Sequence, residues 1–169
     1  MSDQSLEPNK SMIETLMILT ASVLGLFAGS LFTEAVLLVP YFRSLRSGEF
    51  YRLHHDFGPR LYRYYAPLTI TATVLPLVSA AGITLVDPAK SSLSWFAAAL
   101  GLAIMSTYFL YFRRANLSFA EKRLSEAELG LELTRWSGVH NFRTALAIGA
   151  FVVSILAASR VIGPALSTP

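Results

Sequence analysis

The sequence contains no cysteine. Disulfide staples, thiolate zinc sites, iron–sulfur clusters and cysteine nucleophiles are therefore excluded. Charge is scarce as well. Only 15% of the 169 residues are Asp, Glu, Lys or Arg, against about 25% in an ordinary soluble domain. Histidine occurs three times and tryptophan twice. No internal repeat and no low-complexity tract is visible. The length allows one domain and excludes a dinucleotide-binding domain with a second domain attached. What is abundant is apolar: 53% of residues, with a mean hydropathy of +0.50.

Four apolar runs organise the chain, from Leu16 to Pro40, Tyr64 to Val86, Leu93 to Phe112, and Thr144 to Ser159. The second and third contain no charge. The first three reach the roughly 20 residues that carry a helix across about 30 Å of hydrocarbon. The fourth is short, and spans only if His140 to Arg143 sit at membrane depth inside a bundle. Soluble chains seldom hold uncharged runs of this length. The pattern predicts an all-α, integral membrane, antiparallel four-helix bundle. Residues 1–169 form one domain, with helices near 12–41, 59–86, 92–114 and 126–160. The first run is not read as a cleaved signal peptide. It exceeds the 7–15 residues of such a core, and Met1 to Lys10 carries two acids and one base.

The net charge of +3 invites a nucleic-acid reading. That reading fails, because the bases flank apolar runs and do not interleave with polar surface. They sort by side instead. On the side where helix 1 ends (side A) lie Arg43, Arg46, Arg52, Arg60 and Arg63, then Arg113, Arg114, Lys122, Arg123, Arg135 and Arg143. Side B has Lys10, Lys90 and Arg160. The positive-inside rule makes side A cytoplasmic and both termini extracytoplasmic in a multi-pass protein of the cell membrane.

Local punctuation fills in the connections. Asp87-Pro88 starts a short turn. Gly58-Pro59 is expected to break the side A loop, with Pro59 in the first turn of helix 2. Phe50 to Phe57 is long enough for a short interfacial helix. Ser125 with Glu128 is a capping box that starts the last helix.

The up-down-up-down path gathers the unusual side chains on side A. Glu34 lies six residues before Pro40, about 9 Å below that end. An ionised carboxylate costs about 2.5–3.5 kcal/mol at membrane depth, so it must face the interior or a partner. Gly25 and Gly29, with Ala21 and Thr33, form a small-residue stripe beside it. A structural role would pair Glu34 with Arg143 or with tyrosine hydroxyls. Glu132, Trp136, His140 and Arg143 fall on one helical stripe. An aromatic belt and a snorkelling cation account for Trp136 and Arg143 singly but not for His140. His54, His55 and Asp56 are adjacent, so at most one of the two histidines joins His140. Tyr62, Tyr64, Tyr65, Tyr108 and Tyr111 read as interfacial belt.

The stretch from Asn116 to Ala150, with its core Trp136-Ser-Gly-Val-His140-Asn141-Phe-Arg143-Thr144, resembles the C-terminal signature of the anthrone oxygenase family. That family belongs to a larger group of small four-helix membrane proteins. Asn116, Trp136, His140, Asn141 and Arg143 occupy the signature's places, over about 35 residues of motif within an architecture that covers the chain. The His-His-Asp loop departs from the family pattern and leaves the substrate class open. The resemblance implies oxidation of an anthrone methylene by O2 without a recognised cofactor. Such a reaction needs a base, oxyanion donors and a dry apolar slot. In that role His140 is the base, Arg143 and Asn116 are the oxyanion donors, Trp136 is a stacking wall, and Glu34 is the deep carboxylate.

Two other classes remain open. A metal or haem protein would use His140 plus His54 or His55 as ligands, with Glu34 as a third for non-haem iron or copper, or the two histidines alone for haem. A non-catalytic membrane subunit would use the polar cluster for packing, or to bind a partner chain, a second copy or lipid. The expected partners are the bilayer and, for the oxygenase reading, a hydrophobic small molecule. No nucleic acid is expected.

Overall fold

The computed structural model describes residues 7–163. Four long helices follow one another, and no strand occurs among the described residues. We number them α1 (7–44), α2 (Ser47–Val86), α3 (Ser92–Ala120) and α4 (Glu126–Ile162). Each contains a stretch long and apolar enough to cross a membrane. Each packs on its two neighbours in the ring α1–α2–α3–α4, and the diagonal pairs scarcely touch. The molecule is the all-α antiparallel membrane bundle that the apolar runs imply.

The helices outlast the runs that reveal them. Residues 41–63, expected as a loop, are helical apart from the break at Leu45 and Arg46. Pro59 is not a helix start. It lies inside α2 with Pro67 and Pro76. Interior prolines persist where neighbouring helices and side chains re-satisfy the backbone. At 40 residues, α2 is about 60 Å long, so its first half projects beyond the bilayer on side A. There it meets the ends of α3 and α4. Phe50, Phe112, Phe119, Leu129, Leu133 and Trp136 form one buried cluster. The Tyr51 hydroxyl ties α2 to the α3–α4 turn by donating to the Leu124 carbonyl at 2.9 Å. The expected capping box at Ser125 is present, with Ser125 N–H donating to Glu128 Oε2 at 2.9 Å.

Two helices change register. Glu34–Leu38 in α1 and Tyr108–Phe112 in α3 are π turns. In the first, Val39 N–H donates to Glu34 O, five residues back. Pro40 follows at once. Its ring would crowd the carbonyl four residues earlier, and a widened turn relieves that clash.

In lipid, apolar surface supplies no drive between helices, so close packing must hold them. Leu24, Phe27, Ala28 and Leu31 of α1 pack with Ala147 and Ala150 of α4, which keep those two helices close. Gly101 lets α3 approach α2: an added Cβ would stand 3.1 Å from Ala72 O. The small-residue stripe of α1 is only half used. A Cβ on Gly25 would stand 2.8 Å from the Phe151 ring, whereas Gly29 is exposed with nothing within 4 Å. The outer surface carries Leu26, Phe32, Leu37, Ile70 and Val152 in the open. That is a lipid-facing surface rather than a water-facing one.

Candidate functional site

Glu34 is 4% exposed although it carries a carboxylate. It sits at the first position of the π turn in α1, facing α4. Its Oε2 lies 3.7 Å from Arg143 Nη2 and 4.0 Å from His140 Nδ1. The expected convergence of Glu34 with His140 is therefore present. Arg143 Nη2 donates to His140 Nδ1 at 3.1 Å. Arginine has no acceptor, so Nδ1 must be the unprotonated nitrogen. His140 Nε2 then carries the hydrogen and donates to the Leu31 carbonyl of α1 at 3.1 Å. The imidazole is fully enclosed and neutral in this arrangement, and it bolts α4 to α1.

Aromatic rings wall the cluster. Trp136, one turn earlier on α4, stacks on His140 with centroids 5.2 Å apart and planes 3° from parallel. Its Nε1 donates to Asn116 Oδ1 of α3 at 3.3 Å. Phe112, the last residue of the second π turn, stands edge-on to Trp136 at 5.7 Å. The Arg143 guanidinium lies 4.3 Å from the centre of the Phe112 ring, within cation–π range. Asn116, Trp136, His140, Arg143 and Glu34 thus meet where α1, α3 and α4 converge. The two π turns flank them. Helical periodicity gives no sign of those turns. The only hint in the sequence is Pro40 behind Glu34.

Two polar atoms in this cluster are left over. Glu34 Oε2 and Arg143 Nε are buried and make no hydrogen bond. Oε2 also lies beyond hydrogen-bond range of Arg143. It is a buried carboxylate oxygen with uncommitted lone pairs.

Tyr65 is a member that the interfacial-belt reading missed. Its hydroxyl donates to Ser30 O at 3.1 Å and stands beside the Glu34 carboxylate. Tyr64 reaches Ser30 Oγ at 2.8 Å. Glu132, on the same stripe as His140, is tied off by the Tyr111 hydroxyl at 2.8 Å and by Arg135 at 3.2 Å.

His54 and His55 do not join the cluster. The His54 ring packs between Phe50 and Phe119, at 5.8 and 5.6 Å. His55 is exposed and pairs with Asp56 at 3.0 Å. Among the described residues no group of three or more His, Asp or Glu is arranged to hold a metal ion. His140 has no free ring nitrogen to offer iron, because Arg143 and Leu31 take both.

A second polar spot lies toward side B. Thr20 and Ser79 share a hydrogen bond of 2.6 Å beside a cavity of about 10 Å³ that Ser94 and Ser154 also line. Leu24, Phe27, Ala28 and Leu31 lie between it and Glu34.

The fold and the site together define a small multi-pass helical membrane protein, closed at one end by a buried carboxylate–guanidinium–imidazole cluster. No protein-family model, curated protein sequence or solved structure matches the chain.

Proposed function

We propose that the chain is a membrane enzyme that oxidises a flat, weakly acidic aromatic compound of the anthrone type with O2. The observation that carries this reading is Glu34 Oε2, buried and without a hydrogen bond, 3.7 Å from a guanidinium. A carboxylate in that state is a proton acceptor waiting for a donor. His140 is less suited to be the base, since its one lone pair is occupied by Arg143. In this reading Glu34 removes a proton from the activated methylene. Arg143 stabilises the oxyanion form of the delocalised anion. His140 positions Arg143, and Trp136, Asn116 and Phe112 pack around the pair. The anion is oxidised by O2. Overall, one methylene and one O2 become one carbonyl and one water, and the abstracted proton leaves in that water. The excess of bases on side A supports a cytoplasmic site with both termini outside.

The test is O2 uptake by the detergent-purified protein with anthrone. Wild type should consume O2 above the protein-free rate, one O2 per quinone carbonyl formed. Glu34→Gln should lose about 100-fold or more of that excess. Uptake equal to the protein-free rate overturns the reading. It would favour a non-catalytic subunit, which the full commitment of both His140 nitrogens also fits. There the cluster fixes α1 against α4, and Glu34→Gln changes stability alone.

A further inference from the structure

Outside the buried cluster, the side A ends of α1 and α4 part to leave an open groove of about 490 Å³. That volume falls in the range of small-molecule sites, roughly 300–1,000 Å³. Ala35, Val39, Pro40, Arg43, Ser137 and Asn141 line it, Val39 and Ser137 buried and Pro40, Arg43 and Asn141 exposed, together with Ser44, whose hydroxyl donates to Tyr41 O. The π turn and Pro40 lie at the α1 side of the groove.

The chemistry of the lining is specific. Arg43 is exposed and has no ion pair among the described residues. Ser137 and Asn141 stand one turn apart on α4. Neither side chain makes a hydrogen bond among the described residues. One guanidinium and two neutral donors, with no acid on the lining, are complementary to a single phosphate anion. Farther along α4, Asn141 is followed on the same outward stripe by Ala145, Ile148 and Val152, all exposed and apolar. A ligand with its head at Arg43 would lay its tail along that stripe. Position along the helix agrees. Arg43 lies nine residues past Glu34, about 13 Å farther toward side A, which is headgroup level for a bundle with Glu34 just inside the hydrocarbon.

We propose that this groove holds the phosphate headgroup of one anionic glycerophospholipid. Arg43, Ser137 and Asn141 bind the phosphate, and an acyl chain lies against Ala145, Ile148 and Val152. The site does not use Glu34, His140 or Arg143, so it stands or falls apart from the oxygenase reading.

Native mass spectrometry of the whole protein in detergent tests it, with dioleoyl-phosphatidylglycerol as probe. Dioleoyl-phosphatidylcholine and glycerol 3-phosphate serve as comparisons. Wild type should hold one phosphatidylglycerol about tenfold or more tightly than Arg43→Ala does, the yield of one charge-assisted contact. Asn141→Trp, which fills the groove from an exposed position, should abolish the bound lipid at unchanged melting temperature. Phosphatidylcholine should bind more weakly, and glycerol 3-phosphate, lacking tails, should not bind. Equal retention by wild type and Arg43→Ala, or equal affinity for the two lipids, overturns the proposal. Displacement of the phosphatidylglycerol by stoichiometric anthrone also overturns it, and assigns the groove to a substrate. A tight complex with glycerol 3-phosphate would assign it to a soluble phosphate instead.

Discussion

Arg143 and His140 are three residues apart on α4, and the guanidinium donates to the imidazole Nδ1 at 3.1 Å. The contact inverts the usual relation of the two side chains. A cation is held by a neutral ring, and the anion that balances it, Glu34, stands 3.7 Å away on another helix. Burial makes the three interdependent. Removing one member strands a charge or a donor in a place that water does not reach.

Arg143→Ala should therefore destabilise the bundle by about 3 kcal/mol or more, because Glu34 is left buried without its counter-charge. Pairing it with Glu34→Leu should recover most of the loss. Thermal unfolding of the four-member cycle in one detergent measures the coupling. Additive losses would show that the two side chains do not compensate each other.

His140→Phe preserves a ring for Trp136 to stack on but removes both hydrogen bonds. The expected cost is about 1–3 kcal/mol, mainly from Arg143 losing an acceptor. His54→Phe, in an aromatic nest with no polar partner among the described residues, should be tolerated within about 0.5–1.5 kcal/mol. Melting temperatures of the two variants should differ in that order, and the reverse order would contradict the buried bonding of His140.

Glycines separate in the same way. Gly101→Ala pushes a methyl to 3.1 Å from Ala72 O, and overpacking there should cost about 1–3 kcal/mol. Gly29→Ala meets nothing within 4 Å and should be neutral, or stabilising by about 0.5–1 kcal/mol through helix propensity. Chemical unfolding of both variants decides. A destabilised Gly29→Ala would indicate a partner helix on that face.

Lys122 holds a φ of 53° in the turn between α3 and α4, a region that costs a non-glycine residue about 1 kcal/mol. Lys122→Gly should leave stability unchanged or raise it slightly. A loss above about 1 kcal/mol would mean that the lysine side chain contributes to the turn.

The absence of cysteine gives a clean test of orientation. His55→Cys and Ala89→Cys place single thiols on opposite ends, both at exposed positions. An impermeant maleimide on intact cells should label Ala89→Cys alone, and His55→Cys only after permeabilisation. The opposite pattern would reverse the orientation drawn from the basic residues.

The sequence by itself determined the architecture. Four uncharged or nearly uncharged runs have one economical arrangement in a membrane, since every backbone group must be satisfied within a helix. It also determined which polar residues had to look inward, because lipid penalises Glu34, His140 and Arg143 wherever they face it. The helix ends beyond the bilayer were not legible: hydropathy falls silent once a helix leaves the hydrocarbon. Gly58-Pro59 reads locally as a break, yet α2 passes straight through it. Tertiary structure alone decided which partner each polar atom received. The two partners of the His140 ring are Arg143, three residues along α4, and one carbonyl, Leu31 O, from a helix 109 residues away. Neither a register shift nor a contact at that separation leaves a periodic trace in the chain, so only the packed bundle brings those partners together.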